Sequence, residues 1–117
     1  MVEPPPTPSD EEAIALVCSV ARRGLNLSSQ GQRDLVSADY DLDDAEALVA
    51  ACSIRDLHKH ELDDKYPLRQ FYVVIFKMAI PGHSSPFYVK IGLALPGMTS
   101  GRLISFHPWG MHDRFNR

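Results

Sequence analysis

The sequence predicts an α+β domain in which N-terminal helices pack on one face of a three-stranded antiparallel sheet. Three observations carry this. Apolar residues in the first half recur at the spacing of amphipathic helices, each run preceded by a capping signal. After Pro67 the composition shifts to β-branched and aromatic residues, the signature of strands. The links between those strands are short and rich in Pro and Gly, which favours antiparallel neighbours over crossovers. Helices followed by strands give the segregated α+β arrangement. A chain of 117 residues, 44% hydrophobic and 23% charged, has apolar material for one core and the length of one domain.

Met1 to Pro8 holds four of the nine prolines and is expected to be a disordered arm, leaving residues 9–117 as the folded unit. Ser9 with Glu12 three residues on is a capping box. The stripe Ile14, Val17, Cys18 and Ala21 then predicts a helix to Arg23, closed by Gly24, with Arg22 and Arg23 at its negative end. A second helix is expected over Gln30 to Ala38, capped by Ser28 or Ser29, with Leu35 and Val36 facing inward. A third starts at Asp41 and buries Leu42, Ala45, Leu48, Val49 and Cys52. Ser53 and Asp56 form another cap, predicting a short helical turn through Lys59. Strands are expected at Leu68 to Ile80, Phe87 to Leu95 and Arg102 to His107, linked by Pro81–Pro86 and Pro96–Gly101 as a meander. No internal repeat is visible.

No apolar run reaches the roughly 20 residues of a membrane span. The proline-rich start lacks the basic and apolar regions of a secretory leader. A cytoplasmic location follows as the expectation, with Cys18 and Cys52 as buried thiols. The formal charge of −3 conceals an asymmetry. Residues 1–64 hold 14 acids and 5 Lys/Arg, whereas residues 65–117 hold 1 acid and 7 Lys/Arg. A basic strand half is a reason to look for a polyanion there; mutual neutralisation of the halves is the alternative.

Alternation along the second strand puts Phe87, Val89, Ile91 and Leu93 on a buried face and Tyr88, Lys90 and Gly92 on the other. On the third strand, if Ile104 and Phe106 join the core, Ser105 and His107 share the face of Tyr88 and Lys90. The register of the first strand is not fixed by sequence. A phenol, an ammonium, a hydroxyl and an imidazole on one solvent-facing surface suit metal-free cleavage of RNA. That chemistry needs a base for the 2′-OH, an acid for the 5′-oxygen and a cation for the charge at phosphorus. His107 can exchange protons near neutrality, Lys90 or Lys59 can stabilise charge, and Tyr88 can orient the phosphate or stack a base. Lys90, Arg102 and Ser105 are candidate substrate contacts. Trp109 and Phe115 could stack a base or pack at the sheet edge. The five histidines lack a Cys-x-x-Cys or His-Glu-x-x-His frame, so no metal or cofactor is expected.

The segments Asp56-Leu57-His58-Lys59, Phe87-Tyr88-Val89-Lys90-Ile91 and Leu103-Ile104-Ser105-Phe106-His107 resemble the motility quorum-sensing regulator (MqsR) toxins over roughly Asn26 to His107. The resemblance implies a fold similar to RelE-like ribonucleases and cleavage of single-stranded mRNA without a metal. It also implies neutralisation by a cognate antitoxin, with DNA engaged only through that partner. The family's motif lysine falls on Lys59 and its strand tyrosine on Tyr88. His107 stands where better-known members carry a lysine, and Gln70 is the nearest counterpart of a strand glutamine. The general base stays open between His107, Tyr88 acting indirectly and a further residue. Two other readings are weighed with it: a non-catalytic module that binds protein or nucleic acid through the same face, and an antitoxin or immunity factor.

Overall fold

The structure, a computed structural model, describes residues 7–63 and 71–110. Helix α1 (Asp10–Arg23) starts at the capping box. The Ser9 hydroxyl accepts from the Glu12 N–H at 3.2 Å and the Glu12 carboxylate accepts from the Ser9 N–H at 3.0 Å. That bond from the Ser9 N–H holds the Glu12 carboxyl below its ordinary pKa. Ala13, Val17, Val20 and Ala21 are buried, and Ile14 and Cys18 are half-buried beside them. Gly24 closes the helix at φ 111°, its N–H reaching the Val20 and Ala21 carbonyls, a conformation that favours glycine.

Strand β1 (Asn26–Leu27) is followed by α2 (Ser29–Ala38) and α3 (Leu42–Ala50). Ser28 caps α2 by accepting from the Gly31 N–H at 2.9 Å. The inward face of α2 is Gly31, Asp34 and Leu35, while Val36 is 76% exposed. The expectation that Val36 faces inward is therefore corrected; Gly31, Asp34 and Leu35 are the i, i+3, i+4 set that a helix can turn to one side. In α3, Ala45 and Val49 are buried and pack toward α1 with Leu42, Leu48 and Cys52. The free thiols of Cys18 and Cys52 lie 3.7 Å apart at that contact. Burial, with the neighbouring thiol adding to it, pushes the Cys52 thiol up.

After the Ser53–Asp56 box a 3₁₀ turn covers Ile54–Asp56 only, and the chain enters β2 (Leu57–Leu62). The helical turn expected through Lys59 is thus a strand. Its Leu-His-Lys-His-Glu-Leu sequence has little strand character of its own. It is recruited as the partner of β3 (Phe71–Met78), antiparallel, with a bulge between Leu57 and Lys59. Strands β4 (Phe87–Ala94) and β5 (Gly101–Pro108) follow. The sheet has five strands in the order β1-β5-β4-β3-β2, with β1 parallel to β5 and the other pairs antiparallel. The expected meander is its centre; the two flanking strands correct the three-stranded expectation. The first expected strand, from Leu68, is described from Phe71 onward.

The core lies between the helices and one face of the sheet, where Val74, Phe76, Phe87, Val89, Ile91, Leu93, Leu103 and Phe106 meet Val17, Val20 and Leu35. A bulge in β5 makes this possible. Leu103 opposes Ile91 and Ser105 opposes Lys90, so Ile104 is the extra residue. Both Leu103 and Phe106 then point into the core, which strict alternation forbids. Pro8, assigned by sequence to the arm, is buried; residues 1–6 lie outside the described residues. No helix among the described residues is long and apolar enough to cross a membrane.

Helix α2 approaches β5 so closely that a Cβ on Gly31 would collide with the Leu103 carbonyl oxygen. Gly→Ala inside a helix ordinarily stabilises by up to about 1 kcal/mol. Here overpacking against backbone dominates, and Gly31→Ala should destabilise by about 3 kcal/mol. A thermal melt should show a midpoint lowered by roughly 10 °C or more; an unchanged or raised midpoint would contradict the close approach.

Candidate active site

The face of the sheet away from the helices is organised by its register. One rung carries His107, Tyr88 and Lys77; the next carries Ser105, Lys90, Ile75 and Lys59; a third carries Arg102, Gly92, Val73 and Glu61. Directly opposite residues of neighbouring antiparallel strands bring their side chains within contact. The Tyr88 and His107 rings accordingly stack, with centroids 5.3 Å apart and planes 17° from parallel. Lys90 shares the face two residues along β4, roughly 7 Å from Tyr88.

Past β5, the Trp109 N–H donates to the Pro86 carbonyl at 3.0 Å, which brings the indole over the same face. It meets His58 edge-on at 4.9 Å and Tyr88 at 5.6 Å, and the Lys77 ammonium lies 5.1 Å from its ring centre. This last geometry is a cation–π contact. Arg102 lies over the Phe71 ring at 5.3 Å. A Cβ at Gly92 would come within 2.7 Å of Ile104, so glycine there lets the Ile104 and Phe71 side chains cross the strand.

The face is not the open surface expected from sequence. Tyr88 is 6% exposed, Ser105 is 9% exposed and the His107 side chain shows 12% of its area. Burial pushes the Tyr88 phenol up to about 12, and the carboxylates of Glu61 and Asp63 add to the rise. A phenol so placed keeps its proton at neutral pH and serves as a hydrogen-bond donor, not as a base.

His107 is fixed from a direction the sequence does not reveal. Its Nδ1 lies 2.8 Å from Oδ2 of Asp34, a residue of α2 that is 7% exposed. The same oxygen accepts the Phe106 N–H at 2.8 Å, and Oδ1 accepts from Gln30 Nε2 at 2.6 Å.

Of the sequence-predicted site residues, Tyr88, His107, Lys90 and Ser105 come together on two adjacent rungs. Lys59 does not join them. It stands on β2, three strand spacings or roughly 14 Å from β5 at the backbone, and pairs with Glu61 at 3.1 Å, both half-exposed. Arg102 is on the same face but a rung further along. Gln70 lies outside the described residues, as does Phe115. Two residues were missed. Lys77 occupies the place beside Tyr88 that Lys59 was expected to fill; it is the one charge between Phe71 and Ile80, a signal available in the sequence without its register. Asp34 was concealed by the mistaken inward assignment of Val36. A second Asp–His–Tyr set, Asp10, His60 and Tyr72, lies on the helix side of the sheet, with His60 2.7 Å from Asp10 and 2.6 Å from the Tyr72 hydroxyl; it ties α1 to β2 and β3. Among the described residues no group of three or more His, Cys, Asp or Glu could hold a metal ion.

Comparison with protein-family models, with characterised proteins and with solved structures finds no match to this chain.

The buried phenol gives a direct check on this geometry. Ultraviolet titration near 295 nm should contain one tyrosinate step near pH 12 that Tyr88→Phe removes. The folded chain holds this proton above the ordinary value of 10, so the unfolded chain ionises first. The associated stability is complete below pH 10 and is lost as pH rises toward 12. A Tyr88 step near 10 would mean that the ring is solvated.

Proposed function

We propose that this chain is a metal-independent endoribonuclease that cuts single-stranded mRNA, acting as the toxin of a toxin–antitoxin pair in the cytoplasm with a RelE-like fold. The observation that carries the reading is the stack of Tyr88 on His107, with Lys90 and Lys77 beside it on the basic side of the sheet. In the proposed reaction His107 takes the proton of a ribose 2′-OH. The 2′-oxygen bonds to phosphorus, the bond from phosphorus to the 5′-oxygen breaks, and that oxygen takes a proton from water, which recovers one from the protonated His107. The products are a 2′,3′-cyclic phosphate and a 5′-hydroxyl. Tyr88, protonated at working pH, donates to a phosphate oxygen or to the leaving 5′-oxygen. Lys90 and Lys77 offset the charge that grows at phosphorus. Tyr88 covers one face of the His107 ring and Nε2 is itself buried, so the phosphodiester reaches the ring edge only when the side chains over it move aside. Lys59 and Arg102 are further along the sheet and act on flanking phosphates, where each contributes affinity more than rate.

One observation favours a second reading. The small exposure of Tyr88, Ser105 and His107 also fits a packed scaffold whose exposed residues Lys59, Lys77 and Arg102 hold an anionic partner without cleaving it. The antitoxin reading has no corresponding support.

Purified chain, free of any partner, incubated with single-stranded mRNA in EDTA should yield fragments ending in 2′,3′-cyclic phosphate. His107→Ala should lower the rate by about 10²- to 10⁴-fold, and expression of His107→Ala/Tyr88→Phe should no longer arrest growth. Intact RNA under conditions where a known ribonuclease works, together with salt-sensitive RNA binding, would replace the nuclease with the binding module.

A further inference from the structure

A buried carboxylate must be matched by donors, and the donors around Asp34 constrain where protons lie. The Phe106 backbone N–H and the Gln30 side-chain amide nitrogen can only donate, so both carboxylate oxygens act as acceptors. The third neighbour, His107 Nδ1, can donate or accept. A proton shared between a carboxyl and an imidazole resides on the imidazole, since the ordinary carboxyl is the stronger acid by roughly 2–3 pKa units. Nδ1 therefore carries hydrogen. When His107 is neutral its basic lone pair sits on Nε2, the reverse of the tautomer that predominates for a histidine side chain free in water.

The placement is built in by several independent contacts. Gly31 lets α2 lie against the β5 backbone. Ser28 donates from its hydroxyl to the Ile104 carbonyl at 3.0 Å, and its N–H donates to the Leu103 carbonyl at 3.1 Å. Gln30, one helical turn before Asp34, holds Oδ1. Asp34 then fixes the imidazole within its plane, and Tyr88 fixes it across its face. These two constraints leave the ring one orientation, with Nε2 on the edge away from α2 and buried.

We propose that Asp34 is the positioning residue of this site: it holds His107 as the Nδ1–H tautomer, so that the lone pair on Nε2, an atom buried in this structure, is the base the site holds for the 2′-OH proton. The catalytic half of this statement rests on the ribonuclease reading; the tautomer half does not. An Asp that orients a catalytic histidine in this way acts without exchanging protons with the substrate.

The test uses the full chain labelled with ¹⁵N and long-range ¹H–¹⁵N correlation at pH 8, with the His107 signals assigned by His107→Gln. The expected spectrum has a protonated, pyrrole-type Nδ1 and an unprotonated, pyridine-type Nε2. Asp34→Asn keeps an acceptor for the Phe106 N–H but offers the imidazole an amide, and should shift the population toward Nε2–H. In the cleavage assay the same variant should lose about 10²- to 10⁴-fold in kcat with KM changed less than about threefold, in line with loss of the correct tautomer. Gln30→Ala should lose less. A neutral wild-type His107 found as Nε2–H overturns the proposal, and this measurement is decisive even where the Asn variant does not fold. An Asn variant with unchanged tautomer or unchanged kcat overturns it as well. If wild type has the expected tautomer but cuts no RNA, the positioning by Asp34 stands and the ribonuclease reading fails.

Discussion

The outer edge of β5 is the constraint on which the rest of this structure depends. On one side β5 is paired along its length with β4. On the other it has only the two residues of β1 before the chain turns into α2. Buried backbone donors and acceptors without partners are costly, so this edge must be satisfied by something other than a strand. Helix α2 does it with side chains. Ser28 serves the carbonyl of Ile104 and Asp34 serves the N–H of Phe106. The helix can come that close because residue 31 is glycine. An edge solved in this way delivers a carboxylate beside the imidazole of His107 as a direct consequence of covering the strand.

The bulge at Ile104 completes the arrangement. It lets Leu103 and Phe106 both enter the core while keeping Ser105 and His107 on the opposite face, opposite Lys90 and Tyr88. Without the extra residue one of the two apolar side chains would point away from the helices, or His107 would turn beneath them. Packing on the helix side and chemistry on the other side are thus set by the same irregularity. The charged groups then divide by distance. Tyr88 stands next to His107, with Lys90 one rung along and Lys77 on the far side of Tyr88, while Lys59 lies across the sheet on β2, engaged by Glu61, and Arg102 a further rung along.

Much of the fold was legible because it rests on local rules. The Ser9–Glu12 box, the apolar stripe of α1, the stripe of α3 and the two proline-rich links are short-range patterns, and each element formed where its pattern stood. The errors came where a long-range need outweighed a local preference. His58, Lys59 and His60 carry no strand signal, yet they lie in β2 because β3 offered an unpaired edge. Val36 is more apolar than Asp34 and was placed inward for that reason, although the helix turns Asp34 to the buried side where β5 needs an acceptor. Lys77 was visible as an isolated charge in an apolar run but could not be given a neighbour.

The sequence by itself determined the α+β class, the places of the three helices and, once Phe106 is put in the core, the sharing of one sheet face by Tyr88, Lys90 and His107, because periodicity and capping act over a few residues; Ile104, expected in the core with Phe106, is instead the bulge residue. Only the tertiary structure decided the five-stranded order, the exclusion of Lys59 from the group around His107, the burial of that group and the partnership of Asp34 with His107. These depend on strand register and on which helix covers which edge. Both are contacts between residues far apart in the chain, whose energies no local pattern encodes.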